Sequence, residues 1–343
     1  MHLHREHPAS VTSGSHLADS FGRVITNLRI SVTDRCNFRC RYCMPEEGMQ
    51  WLDRSALLTY EEIARITAAF AGMGIRRIRL TGGEPLLRKD LHLLVRRLHA
   101  ITGIEDIALT TNGMLLADQA GALAEAGLQR INISLDALDS QRFAAMTRRD
   151  EFAKVWRGIE AAEEAELRPI KLNCVLIRGE NDGEIGSFAR LVRERPFIVR
   201  FIEFMPLGCQ DEWSADRVVP AAEVIARMEG EVGVALIPVE RRGHQPADRY
   251  RFADGAGEVG FISSVSEPFC SSCNRVRITS DGKLRTCLFS LEESDLRALV
   301  RSGGSDEDIR AAIRDAVGRK EAGHLVNTPE FVRPSRSMSQ IGG

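Results

Sequence analysis

Residues 24–45 read Val-Ile-Thr-Asn-Leu-Arg-Ile-Ser-Val-Thr-Asp-Arg-Cys-Asn-Phe-Arg-Cys-Arg-Tyr-Cys-Met-Pro. A β-rich run, Val24–Val32, passes straight into a loop carrying Cys36, Cys40 and Cys43. Five more such runs follow: Ile75–Leu80, Ile104–Thr110, Arg130–Leu135, Ile170–Ile177 and Ile198–Phe204. Amphipathic stretches lie between them. In the first, Thr59 and Glu62 form a capping-box pattern, Ile63, Ile66, Phe70 and Met73 recur at helical spacing, and Gly74 is the expected stop. Others are expected on Leu91–Ile101, Leu116–Ala126, Phe152–Ile159 and Ile185–Val192, with Gly103, Gly127 and Pro196 as punctuation. Strands alternating with helices imply a parallel sheet with right-handed crossovers. Periodicity alone leaves an open doubly wound sheet and a curved barrel both standing. Six units fall short of the eight of a closed barrel.

After about residue 215 the pattern changes. Short strands are expected at Val234–Val239 and Val259–Ser264, a hairpin over Val276–Leu288 turning at Asp281-Gly282, and helices near 290–301 and 305–320. The expected fold is α/β: a partial (β/α)6 TIM-type barrel over residues 21–215, and a smaller α+β C-terminal lobe, 216–343, closing the barrel mouth. Residues 1–20, with His2, His4, His7 and His16, are expected to be a disordered leader; a metal-binding tail is the alternative.

The 343 residues are 43% hydrophobic and 27% charged, an ordinary globular balance. A net charge of −2 excludes the bulk basic field of a non-specific nucleic-acid binder. Of the 46 basic residues 5 are Lys and 41 Arg, which leaves an anionic ligand open. No signal-peptide core and no run of ~18 apolar residues is present, so a cytoplasmic protein without a membrane partner is expected. In a reducing compartment the eight cysteines are free thiols, metal ligands or catalytic groups. Cys174, within an apolar strand, is expected in the core; Cys209 has no evident role.

Cys36-x3-Cys40-x2-Cys43 places three soft ligands in one tight loop, which suits zinc or an iron–sulfur cluster. No fourth Cys or His lies nearby. Three ligands on a cubane leave one iron open for a bound molecule. This spacing, with Tyr42 before the last cysteine, resembles the signature of the radical S-adenosylmethionine superfamily. The resemblance implies a [4Fe–4S] cluster whose open iron chelates S-adenosylmethionine, and an external electron donor. Thr81-Gly82-Gly83-Glu84-Pro85, by itself a turn signal, resembles the motif that receives the amino group of S-adenosylmethionine in that superfamily. By the same resemblance Tyr42, Gly83, Ser134 and Met205 fall on S-adenosylmethionine-contacting positions.

Cys270, Cys273 and Cys287 form a second three-thiol set, for which a zinc ribbon remains an alternative. Asn274-Arg275-Val276-Arg277 follows directly; if extended, Arg275 and Arg277 share one face beside the thiols as an anion site. The run 269–288 and the ending Arg336-x-Met338-x-x-Ile341-Gly342-Gly343 resemble the GTP 3′,8-cyclases of molybdenum cofactor biosynthesis. That resemblance, over about residues 19–343, implies a second [4Fe–4S] cluster on Cys270, Cys273 and Cys287 that holds the guanine. It also implies GTP contacts at Arg29, Arg79, Thr110, Lys171, Arg275, Val276 and Arg277, and a tail, Gly342 and Gly343, entering the active site. A lyase is implied, with Cys36, Cys40, Cys43, Arg275, Arg277, Gly342 and Gly343 as its catalytic set, acting as monomer or homodimer. Its product would pass to a cyclic pyranopterin monophosphate synthase. A different two-cluster radical enzyme, such as a peptide-modifying one, shares the first set but does not need the Asn-Arg-x-Arg run or the Gly-Gly end. A non-catalytic iron–sulfur or zinc module is the remaining alternative.

Overall fold

The computed structural model describes residues 16–207, 213–239 and 245–342. Most of the leader, Cys209 and Gly343 lie outside the described residues. Six parallel strands follow one another in chain order: β1 (Asn27–Ser31), β2 (Arg77–Thr81), β3 (Asp106–Thr111), β4 (Arg130–Ser134), β5 (Ile170–Leu176) and β6 (Ile198–Glu203). The helices packed outside them are α1 (Tyr60–Ala71), α2 (Leu91–His99), α3 (Ala120–Glu125), α4 (Ser140–Thr147), α5 (Phe152–Glu164) and α6 (Ile185–Glu194). The capping box on α1 is formed: Glu62 N–H donates to Thr59 Oγ1 at 3.1 Å and Thr59 N–H to Glu62 Oε2 at 2.8 Å. Gly74, with φ +98°, turns the chain from α1 towards β2.

The remaining elements are α7 (Ala221–Val232), β7 (Leu236–Pro238), β8 (Asp248–Phe252), β9 (Glu258–Ile262), β10 (Arg275–Ile278), β11 (Lys283–Arg285), β12 (Ser294–Asp295), α8 (Leu296–Arg301), α9 (Asp306–Gly318) and α10 (Met338–Ile341). Their strands join the same sheet at both edges. β9 adds in parallel to β6, and β10 adds in parallel to β1. Antiparallel strands finish each side, giving the order β12-β11-β10-β1-β2-β3-β4-β5-β6-β9-β8-β7. The sheet is thus mixed, with eight parallel strands at its centre.

Alternation along the parallel strands separates two environments. Leu28, Ile30, Ile78, Leu80, Ile131, Ile133, Val276 and Ile278 are buried and join Ile63, Ile66, Phe70 and Leu94 of the helices in one core. The intervening positions are polar and include Arg29, Ser31, Arg79, Thr81, Asn132, Ser134, Arg275 and Arg277. Cys174 is buried in that core, as expected.

Five elements were not legible beforehand: the four-residue α10, the two-residue β12, which takes the place of the first half of the helix expected near 290–301 so that α8 starts only at Leu296, and the three that follow. β8, Asp-Arg-Tyr-Arg-Phe, is an outer strand whose charged positions mask its alternation. α4 is short and starts on Asp139, whose Oδ1 accepts from Arg142 N–H at 2.8 Å. α7 buries only Val224 and Met228, too few to give a clear helical period. Among the described residues no helix is long and apolar enough to cross a membrane.

Leu80 is fully buried between the sheet and the helices. Leu80→Ala is expected to lower stability by about 2–5 kcal/mol, seen as an earlier melting transition.

Candidate active site

The polar face of the parallel strands encloses the site. The strand register places Arg29 between Arg277 on β10 and Arg79 on β2. Asn132 lies between Thr110 and Lys171, and Asn173 between Ser134 and Arg200. The buried Arg200 is braced by Asn132 Oδ1 at 2.6 Å and Asn173 Oδ1 at 2.9 Å. Burial, and then Arg277, Arg79, Arg275 and Arg200 in turn, press the Arg29 guanidinium well below its usual pKa. Burial and neighbouring arginines bring Arg79 and Arg277 to about 10 each. Burial, then Arg200, Arg130 and Arg79, lower Lys171 to about 7. Arg130 has its own counter-ion, Asp106, at 2.6 Å. The arginine group therefore holds a strong positive field with little compensation, the environment that a polyphosphate neutralises.

The loop after β1 carries the first thiol set at the carboxyl ends of the strands. Its backbone is pinned from several sides. Gly83 N–H donates to Thr33 O, and Glu84 N–H to Arg35 O, both at 2.7 Å. A Cβ on Gly83 would overlap the carbonyls of Asp34 and Arg35. The glycine pair thus admits the protein's own thiol loop, a close approach that the sequence reading reserved for a ligand. Across the loop, the end of α4 supplies more bonds. Arg39 N–H and Arg41 N–H donate to the carbonyls of Thr147 and Met146, each at 3.0 Å, and Arg148 Nη1 donates to Arg39 O at 3.0 Å.

Two buried carboxyls back this loop. Glu84 accepts from Thr111 Oγ1 and Asn112 N–H, each at 2.7 Å, and from Leu86 N–H at 2.9 Å. Asn112 in turn donates to Asn37 Oδ1 at 2.7 Å, beside Cys36. Asp136 accepts from Tyr42 Oη at 2.8 Å and Val175 N–H at 2.9 Å. Burial raises Glu84 to about 7 and Asp136 to about 6. Burial, with Glu84 next, pushes the Cys36 thiol up to about 11, and burial also raises Cys40. Such thiols become thiolates only with a cation or a metal at hand.

The second set reaches the same cavity from the opposite side. Cys270 opens a short turn whose carbonyl accepts from Arg23 Nη1 at 2.8 Å. Arg275 lies 4.8 Å over the Phe269 ring, with Nη2 3.6 Å from Cys273 Sγ. Burial alone would raise Cys273, but Arg275 and Lys320 bring it down to about 7. Burial raises Cys287.

One cavity is lined by all six thiols, by Arg29, Arg79, Arg200, Arg275 and Arg277, and by Tyr42, Gly83, Thr110, Ser134 and Met205. Met338 and Ser339 of the tail also line it. Gly342, with φ +83°, packs against Ser31 and Thr81, and its carbonyl accepts from Arg277 Nη1 at 2.8 Å. Val276 is fully buried on the helix-facing side of β10. Lys171 is outside the cavity lining and acts on it through its charge.

Sequence reasoning missed Asp136, Asn112, Arg200 and His324, all of which line the cavity. A cation at alternate spacing within Ile-Val-Arg-Phe-Ile was a readable signal for Arg200. His324, beside the Phe289 ring, offered none. None of the six cysteines in the two sets forms a disulfide. Among the described residues, no three His, Cys, Asp or Glu side chains are drawn in on one point as a mononuclear metal requires. Three soft donors along each wall of a shared cavity fit the larger body of an iron–sulfur cluster.

Comparison with known proteins bears on the whole chain. Residues 30–192 match the radical SAM superfamily, and residues 197–326 match Molybdenum Cofactor Synthesis C. The GTP 3′,8-cyclase of Pelotomaculum thermopropionicum is 50% identical over 327 residues, covering 95% of this chain and 100% of that one. The GTP 3′,8-cyclase of Streptomyces coelicolor is 47% identical over 332 residues, covering 96% and 97%. Among solved structures, SuiB of Streptococcus suis matches with a TM-score of 0.59 at 14% identity, over 92% of this chain and 78% of that one. Methylornithine synthase matches with a TM-score of 0.53 at 17% identity, over 84% and 86%. These two likenesses are of fold.

Gly83→Ala forces the thiol loop away from its seat. The expected result is less iron retained per chain after anaerobic reconstitution, with stability lowered by about 1–3 kcal/mol. Iron analysis and thermal melting check both.

Proposed function

The chain belongs to the GTP 3′,8-cyclase family, and we propose that the cavity lined by both thiol sets holds S-adenosylmethionine and GTP together, each facing its own thiol set. It is a radical S-adenosylmethionine enzyme whose reaction, the 3′,8-cyclisation of GTP, is the first step of molybdenum cofactor biosynthesis. The observation that carries the two-molecule reading is the convergence of both thiol sets, the arginines and the tail on one space.

Cys36, Cys40 and Cys43 would hold one [4Fe–4S] cluster, and Cys270, Cys273 and Cys287 a second. With S-adenosylmethionine bound and an external electron donor, the first cluster would supply the radical chemistry that the cyclisation needs.

The protein's own residues do the positioning. Tyr42, held by Asp136, and Gly83, Ser134 and Met205 form the S-adenosylmethionine wall. Arg29, Arg79, Arg275 and Arg277 take the triphosphate, with Arg200 adding charge from the cavity wall and Lys171 from outside the lining. Thr110 faces the nucleotide from β3, and Val276 serves by spacing the two β10 arginines onto one face. The second thiol set holds the guanine, so C8 stays close to C3′; this orientation makes the cyclisation effectively unimolecular. Gly342 closes the space beside Arg277.

The reading is tested by incubating anaerobically reconstituted protein with GTP, S-adenosylmethionine and dithionite. A 3′,8-cyclised nucleotide is expected by mass spectrometry; cleavage of S-adenosylmethionine without any GTP-derived product overturns it. In Cys273→Ser, S-adenosylmethionine cleavage should persist without coupled cyclisation.

Lys171 gives a pH signature. Its folded pKa is lowered, so it is protonated below about 7 and loses its charge as pH rises through that value. A bound polyphosphate favours the charged form. GTP affinity should therefore weaken above pH 7, by up to about tenfold for each unit by which bound GTP raises the Lys171 pKa. Lys171→Met should lose that part of the dependence, as measured by GTP titration across pH.

A further inference from the structure

The tail that reaches the cavity is fastened outside it. Arg336 donates from Nη1 to Asp281 Oδ1 at 3.2 Å and from Nη2 to Asp281 Oδ2 at 2.9 Å. It meets Glu293 as well, through Nη2 at 2.9 Å and Nε at 2.7 Å. The guanidinium therefore makes two forked pairs at once, the strong geometry for an arginine. It is sheltered: the Arg336 side chain is 19% exposed, Asp281 9% and Glu293 21%. Arg285 also pairs with Glu293, so two cations face two carboxylates.

The location matters more than the strength. Asp281 stands in the turn of the β10–β11 hairpin and is itself held by Thr279 Oγ1 at 2.6 Å. The same hairpin carries Arg275 and Arg277 on β10, and Cys287 lies just beyond β11. From Arg336 the chain turns at once into α10, whose start is fixed by a capping box on Ser337 and Gln340. One turn later, Gly342 places its carbonyl on Arg277. The tail thus touches one hairpin twice, by a fork on Asp281 at the turn and by a single carbonyl bond to Arg277 inside. Between the two contacts lies a helix of only four residues.

We propose that Arg336 is the positioning residue of the C-terminal tail: its fork to Asp281 and Glu293 clips the tail to the β10–β11 hairpin and so delivers Gly342 to Arg277. The inner contact has one hydrogen bond, to a neutral carbonyl, beside the burial of Ile341; the charged fork on Arg336 is the stronger hydrogen-bonded anchor. The catalytic consequence rests on the reading above, that this cavity is the GTP site; the clip itself does not.

The test uses the full-length reconstituted protein and its Arg336→Ala, Arg336→Lys and Glu293→Gln variants. Carboxypeptidase trimming of the tail, followed by intact mass, reads the clip directly. Arg336→Ala should be trimmed about tenfold faster than wild type, the factor that ~1.4 kcal/mol of lost anchoring gives. Arg336→Lys, which keeps the charge without the fork, and Glu293→Gln, which removes one of two partners, should fall between. The main melting transition should stay in place, since the sheet and its core do not depend on the tail. Trimming at the wild-type rate in all three variants overturns the proposal, and Glu293→Gln decides if Arg336→Ala does not fold. GTP cyclisation is measured alongside. Faster trimming with cyclisation unchanged leaves the clip standing and removes the tail from the GTP reading. Lost cyclisation with trimming unchanged removes the clip and leaves that reading intact.

Discussion

The period of two along eight parallel strands governs this protein. Each strand must send one set of side chains to the helices and the other to the space enclosed by the sheet. The helix-facing set is apolar and buried, which supplies the stability. The other set is cationic and polar, with Arg29, Arg79, Arg200 and Arg277 crowded together beyond their available counter-ions. Such a face is unfavourable for folding and is tolerated because the opposite face carries the core. It is favourable for a ligand bearing several negative charges, since attraction is stronger in a sheltered site than in water.

The thiol loop depends on the same scaffold. It follows β1 and rests on the turn after β2, where the absence of a Cβ at Gly83 lets two backbones meet. Asp136 after β4, and Glu84 through Asn112 after β3, tie it to neighbouring strand ends. Three consecutive strand ends therefore act together on a loop that, alone, has no reason to hold three cysteines along one wall. The second set depends on a different device. β10 inserts beside β1 and aligns Arg277 with Arg29, which carries Cys270, Cys273 and Cys287 to the far wall of the same cavity.

Local patterns were legible where one residue type has one physical use. Thr59 with Glu62 predicts a helix start because both capping bonds are local. Cys36, Cys40 and Cys43 predict a cluster loop because thiolates at that spacing have few other uses. Asp281-Gly282 predicts the hairpin because the turn needs a positive φ, and Gly282 has one of +79°. The pattern failed where partners are distant or ambiguous. Asp136 and Glu84 are ordinary carboxylates until burial and their donors are known. Charged outer strands such as β8 look like loops until their neighbours pair with them.

By itself the sequence determined the six β-strand and helix units, the two thiol sets, the arginine pair Arg275 and Arg277, and the Gly-Gly ending. Those are set by local hydrogen bonding, by alternation and by the chemistry of a residue type. Only the tertiary structure decided that the C-terminal segment divides between both edges of one sheet, that Arg29 and Arg277 stand side by side, and that Arg336 meets Asp281. The reason is physical: strand pairing uses backbone groups that every residue carries. The choice of neighbour therefore leaves no mark on the residues that it brings together.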